Sequence, residues 1–101
     1  MKIENFNPGD LLKLKEGFTK FPYYDSLEEY EKDPTLAISG FNDKPIIVLS
    51  VIVSERGKTG YKCLSQNKLM YVFDVTSIDG HTAEVGFCYE KIGEKNELYL
   101  F

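Results

Sequence analysis

The sequence predicts a mainly β domain of five to six antiparallel strands, with a long first connection that carries one short α-helix. Three observations lead there. Runs of alternating or β-branched apolar residues recur along the chain, turn residues divide these runs at short intervals after residue 45, and residues 16–44 break the alternation and contain a helix-capping signal. With 101 residues the chain falls at the small end of the single-domain range, so one domain covering 1–101 is expected.

The first strand is expected within Gly9 to Lys15, where Leu12 and Leu14 alternate with Lys13 and Lys15, the period of a strand with one buried face. Pro45 to Glu55 (PIIVLSVIVSE) is β-branched and apolar at odd and even positions alike. That suits a central strand covered on both faces or bent between two halves of a barrel. Arg56-Gly57-Lys58-Thr59-Gly60 has two glycines and no apolar side chain, so it should turn the chain into a third strand, Tyr61 to Gln66. Asn67-Lys68 then makes a tight connection of open turn type into a fourth strand, Leu69 to Ser77.

The next hairpin is fixed by parity. A two-residue Asp79-Gly80 turn would set Val75 against Glu84 and Phe73 against Gly86. A three-residue Ile78-Asp79-Gly80 loop with Gly80 left-handed instead pairs Val75 with Ala83, Phe73 with Val85 and Tyr71 with Phe87, leaving one face apolar throughout. That register is the expected one. Phe87 to Ile92 continues the strand, and after Gly93-Glu94-Lys95-Asn96 a last short strand is expected at Glu97 to Phe101.

Residues 16–44 hold six of the fourteen aromatic residues, without strand alternation. Ser26-Leu27-Glu28-Glu29 matches a capping box, with Ser26 as N-cap and Glu29 at N3, and Pro34 should end the helix within about two turns. The segment also carries the charge imbalance. Seven acids (Glu16, Asp25, Glu28, Glu29, Glu31, Asp33, Asp43) face three lysines (Lys20, Lys32, Lys44), while the remainder of the chain is balanced, so the segment accounts for the net charge of −4. A connection this long in a compact domain is more often functional than idle.

The net charge argues against a general nucleic-acid binder, whose affinity rests on cations that neutralise phosphates. No apolar stretch of signal-peptide or membrane-spanning length is present, so a soluble, cytoplasmic protein is expected, in the host cytoplasm if it is viral. Cys63 and Cys88 lie in no metal-ligand spacing and are expected as free, half-buried thiols.

Taken together, the Pro8 to Leu14 opening, the Pro45 to Val53 strand, the Tyr61 to Leu64 strand and the Val75 to Val85 hairpin resemble an SH3-like small barrel. The resemblance covers about two-thirds of the chain by strand pattern, and it departs from the compact barrel in the length of residues 16–44. Small accessory proteins of tailed bacteriophages are of this build. The resemblance therefore implies a protein-binding or host-modifying role, by analogy of fold alone.

For function, the leading expectation is a protein-interaction module that offers its acidic, aromatic segment to a basic surface of a protein partner. Tyr23, Tyr24, Tyr30, Asp25, Glu28, Glu29 and Glu31 would make the contact, with the tyrosines on the surface, while Phe18, Phe21 and Phe41 fold back into the core. An alternative is a nucleic-acid-associated barrel using a basic strip of Lys13, Lys15, Arg56, Lys58 and Lys62 beside Tyr61. A third is a small enzyme or ligand-binding barrel gathering His81, Cys88 and an Asp74–Glu84 pair placed opposite each other by the hairpin register. His81 reads better as an exposed turn residue, and Gly57-Lys58-Thr59 lacks the earlier glycine of a phosphate loop. No catalytic residue, metal or cofactor is assigned. A monomer or weak homodimer is expected, the C-terminal strand offering an open edge.

Overall fold

The computed structural model describes residues 5–32, 38–76 and 80–92. Along the chain these form β1 (Leu11–Leu14), β2 (Phe21–Tyr23), α1 (Leu27–Lys32), β3 (Gly40–Asn42), β4 (Ile46–Val53), β5 (Thr59–Ser65), β6 (Lys68–Phe73), β7 (Val75–Thr76), β8 (Thr82–Ala83), α2 (Val85–Cys88) and β9 (Tyr89–Lys91). Five strands make one antiparallel sheet in the order β6-β5-β4-β1-β9, and β2-β3 and β7-β8 make two small two-stranded sheets. The mainly β character is as expected. Closure into a barrel is not found, because among the described residues β6 and β9 stand at opposite edges of the large sheet.

The double parity of β4 has a local cause. Val48 pairs with Cys63 and Ser50 with Lys62, so Leu49 is an extra residue, a β-bulge that reverses which face each parity serves. Before the bulge, Ile46 and Val48 enter the main core with Phe6, Leu12, Phe21, Cys63, Met70, Val72, Val85 and Tyr89. After it, Ile52 lies in the row Ile52, Gly60, Phe73 and packs on a second, aromatic core of Tyr24, Tyr30 and Phe73. One strand thus serves two cores. Beyond Val48, β1 no longer accompanies β4, and Leu49, Val51 and Val53 are exposed there.

The β5–β6 turn is shifted by one residue from the expected Asn67-Lys68. Ser65 pairs with Lys68, and Gln66 and Asn67 both take left-handed backbone (φ 50° and 66°), the type I′ geometry that follows sheet twist. Asn67 tolerates that region, while Gln66 enters it without the help of glycine or a short polar side chain.

The expected Val75–Ala83 pairing is present, continued by Thr76–Thr82, with Gly80 left-handed at φ 89°. The pairs Phe73–Val85 and Tyr71–Phe87 do not form. Phe73 and Tyr71 belong to β6 and pair with β5, while residues 85–88 close a single helical turn. That turn is capped from outside: the Val85 N–H donates to Asp74 Oδ1 at 2.8 Å, whereas Glu84, at the N-cap position, makes no side-chain cap. Asp74, one residue before the Val75–Ala83 pair, thus has a backbone donor as its partner. The expected ends of other elements at Pro34, at Ile78-Asp79 and at Glu97 to Phe101 lie outside the described residues.

In α1, the Glu29 N–H donates to Ser26 Oγ at 3.2 Å, the first half of the capping box. The second half is diverted, since Glu29 Oε2 accepts from the Ser39 hydroxyl and ties the helix to the approach to β3. At the other end, the Glu55 N–H donates to Glu31 Oε2 and Arg56 Nη2 to the Glu31 carbonyl, fastening α1 to the β4–β5 turn.

Candidate functional site

The structure reverses the expected roles of the aromatic residues in 16–44. Tyr24 and Tyr30, expected on the surface, are 0% and 2% exposed, while Phe18 and Phe41, expected in the core, are 38% and 51% exposed. Only Phe21 goes inward as expected. The reason is backbone pairing. Tyr24 and Tyr71 exchange N–H···O bonds of 2.9 Å, which adds the chain after β2 to the free edge of β6 and points the Tyr24 ring at Phe73. Tyr30, one turn into α1, then stacks on Phe73 with centroids 3.8 Å apart and planes 9° from parallel, and Tyr24 meets Tyr30 edge-on at 5.2 Å. Burial pushes the Tyr30 phenol above its ordinary value. The segment is thus partly regular sheet and partly a core layer, not a free arm.

The remaining partner-contact candidates are divided. Tyr23 is half-buried, with its ring across Gly40 and its hydroxyl accepting from Lys68 Nζ at 2.7 Å; Lys68 also lies 3.5 Å from Asp25. The hydrogen bond to Tyr23 is the main cause that raises the Lys68 ammonium above its usual value. Glu29 and Glu31 hold α1 in place as described, and Glu28 is exposed. Asp25, Glu29 and Lys32 meet with Ile38 and Ser39 in a hollow of about 370 Å³.

The basic candidates do not form a continuous strip. Lys13 is opposite Glu90, and the β1–β4 and β4–β5 registers place it about five residues of β4 from Lys62, roughly 15 Å. Lys15 stands 5.5 Å from the Phe87 ring centroid. Arg56 and Lys58 do come together, with Thr59, Asp74 and Tyr30, in a hollow of about 360 Å³.

Between these two hollows lies the feature that sequence reasoning missed. A cleft of about 480 Å³ opens between the β2–β3 and β7–β8 sheets, lined by Phe18, Pro22, Ile38, Phe41, Val75 and Ala83, with Lys20, Thr76 and His81 supplying polar groups. Phe18 is held edge-on against Phe87 at 5.9 Å, and Lys20 Nζ lies 4.3 Å over the Phe41 ring. The cleft shares Ile38 with the hollow of Asp25 and Glu29, and Val75 and Thr76 with the hollow of Arg56 and Lys58. Gly17, left-handed at φ 98°, turns the chain ahead of Phe18. The one sequence signal that could have exposed these phenylalanines is their position beside glycines, in Gly17-Phe18 and Gly40-Phe41.

The thiols lie apart from this surface. Cys63 and Cys88 are free and buried, deeper than the half-burial expected, while His81 is exposed. Burial pushes the Cys63 thiol up to about 12 and raises Cys88 as well, the opposite of what activates a nucleophile. Among the described residues no three His, Cys, Asp or Glu side chains gather where they could hold a metal ion, and no helix is long and apolar enough to cross a membrane. No protein-family model matches the chain, and neither a curated protein nor a solved structure is similar to it.

Proposed function

We propose that this protein is a protein-interaction module whose contact surface is the cleft between the two small sheets, with the acids of Asp25, Glu28 and Glu29 beside it turned toward a basic part of the partner. One observation carries the reading: two phenylalanine rings, Phe18 and Phe41, stay exposed on the walls of a concave apolar surface although the same segment buries two tyrosines. Apolar side chains exposed singly are ordinary, but two aromatic rings gathered on one concave apolar surface are a feature of interaction sites. Concave apolar sites with a few polar groups are where ligands and partner side chains bind.

The acidic segment keeps the steering role expected of it, but Tyr24 and Tyr30 leave the contact surface. A host-modifying role of the phage accessory type, like the SH3-like assignment itself, is supported by strand pattern alone. The chain is a monomer or a weak homodimer, and a homodimer would use the stretch of β4 beyond Val48, where Leu49, Val51 and Val53 are exposed.

The test is a selection from a displayed random dodecapeptide library on the full chain, counter-selected on Phe41→Ser. Half-exposed Phe41 can be replaced with little loss of stability, so the variant should melt within a few degrees of the parent. Enrichment of apolar peptides that bind the parent and not the variant is expected. Enrichment indifferent to Phe41, or none, would remove the reading.

A further inference from the structure

The hollow of about 360 Å³ beside the cleft holds polar groups that the rest of the fold leaves unused. Its floor is Tyr30. That residue is 2% exposed, with its ring stacked on Phe73 and met edge-on by Tyr24, so the end it presents to the hollow is the hydroxyl. Among the described residues this hydroxyl closes no hydrogen bond, and it is not sealed in as the Tyr89 hydroxyl is. Besides burial, which dominates, Arg56 lowers and Asp74 raises the pKa of this phenol, so charges of both signs act on it. Asp74 nevertheless makes no ion pair with Arg56 or Lys58, although all three line the hollow. The charged groups are held in place. Ser54 Oγ accepts from the Arg56 and Lys58 N–H groups at 3.2 Å each, which fixes the turn that carries both cations. Arg56 Nη2 is anchored on the Glu31 carbonyl at 3.2 Å and Asp74 Oδ1 on the Val85 N–H at 2.8 Å, which leaves Asp74 Oδ2 and most of the guanidinium N–H groups without a partner among the described residues.

The hollow has no excess of positive charge. Glu31, whose carboxylate holds the Glu55 N–H, and exposed Glu55 itself offset the two cations together with Asp74, so a simple anion gains nothing from the local field. What the hollow offers is a separation of charge over an unpartnered hydroxyl. We infer that it binds a free apolar α-amino acid, with the carboxylate on Arg56 and the Tyr30 hydroxyl, the ammonium on Asp74 Oδ2, and the side chain along Val75. Val75 is the aliphatic residue of the lining and is shared with the cleft, so an apolar side chain leaving the hollow has a surface to follow. The volume lies within the range of about 300–1,000 Å³ usual for small-molecule sites. A carboxylate alone would leave Asp74 facing it, and an amine alone would face Arg56 and Lys58. A residue inside a peptide carries neither charge on its backbone. Because the turn and Asp74 are already fixed, little side-chain freedom is lost when the zwitterion enters. This site and the contact role proposed for the cleft stand independently of each other.

The test follows backbone amide shifts of the isotope-labelled full chain by NMR at low salt, with four probes that share one side chain. L-leucine carries both charges, isocaproate only the carboxylate, isoamylamine only the ammonium, and N-acetyl-L-leucinamide neither. Leucine should give saturable shifts at Thr59, Asp74 and Val75 and bind about threefold tighter than either half molecule, as one further exposed ion pair implies. N-acetyl-L-leucinamide should give none. Asp74→Asn, which keeps an acceptor for the Val85 N–H, should bring leucine down to the affinity of isocaproate. Tyr30→Phe, which keeps the stack on Phe73, should weaken leucine and isocaproate alike by about threefold and leave isoamylamine unchanged. Phe41→Ser should alter none of these affinities. Four outcomes overturn the inference: no saturable leucine shift at the hollow, equal binding of leucine and isocaproate by the parent, leucine binding that ignores Asp74→Asn, or leucine binding lost in Phe41→Ser, which would put the ligand in the cleft. The comparison of probes on the unaltered chain decides the matter even where a variant folds poorly.

Discussion

Replacing Gly60 by alanine should be the most damaging single-methyl change in this protein. Gly60 lies directly across from Phe73 in the β5–β6 ladder, and a Cβ built on it would stand 2.4 Å from Phe73 Cδ2 and Cε2 and 2.7 Å from Cγ. Carbon atoms in contact prefer about 3.5–4.0 Å, so the ring would have to retreat by roughly 1 Å or more. It has nowhere to go: Phe73 is fully buried, and its other face lies on Tyr30 at 3.8 Å, with Tyr24 against both rings. Overpacking of this kind costs about 1–3 kcal/mol, and a ring wedged between a backbone and a stacked partner belongs at the top of that range. The entropy that alanine removes from the unfolded chain returns only about 0.4–1 kcal/mol. A net loss of about 2–3 kcal/mol follows, which lowers Tm by roughly 10–20 °C in a domain of this size. Thermal unfolding followed by circular dichroism measures it. A Tm within about 3 °C of the parent would refute the reasoning. So would an unchanged penalty in a Phe73→Leu background, where the reasoning requires coupling of at least about 1 kcal/mol.

Alkaline stability follows from the buried acids. Cys63 ionises near 12 when folded but near 9.0 when unfolded, so above pH 9 the unfolded chain loses a proton that the folded one keeps, and stability falls by about 1.4 kcal/mol per pH unit. Above pH 10 the raised Tyr89 phenol steepens the fall, and urea unfolding at pH 8, 9, 10 and 11 should show both effects; a flat profile over that range would contradict them. Tyr89→Phe should leave neutral-pH stability unchanged or improved and flatten the slope above pH 10. The Asn42 amide is close enough to affect that phenol, yet the hydroxyl closes no hydrogen bond. Asp74→Ala should cost about 1 kcal/mol by uncapping α2, with Asp74→Asn recovering most of it in the same unfolding assay; equal losses for both would show that the carboxylate serves some other purpose.

What the sequence determined by itself was a set of features whose cause is local. The alternation of Leu12 with Lys13, the β-branched run at 46–53, the Ser26 cap and the Val75–Ala83 register each depend on neighbours a few residues away, and each is present. Tertiary structure decided which aromatics were buried, because that depended on a pairing 47 residues apart, Tyr24 with Tyr71, which no local period reveals. Once that bridge forms, period-two geometry sends Tyr24 inward onto Phe73, and the phenylalanines that hydropathy assigns to the core are left on the rim of a cleft. The bulge at Leu49 is of the same kind. One extra residue in β4 lets a single apolar run feed two cores, and it is visible only when the partner strand's register is known.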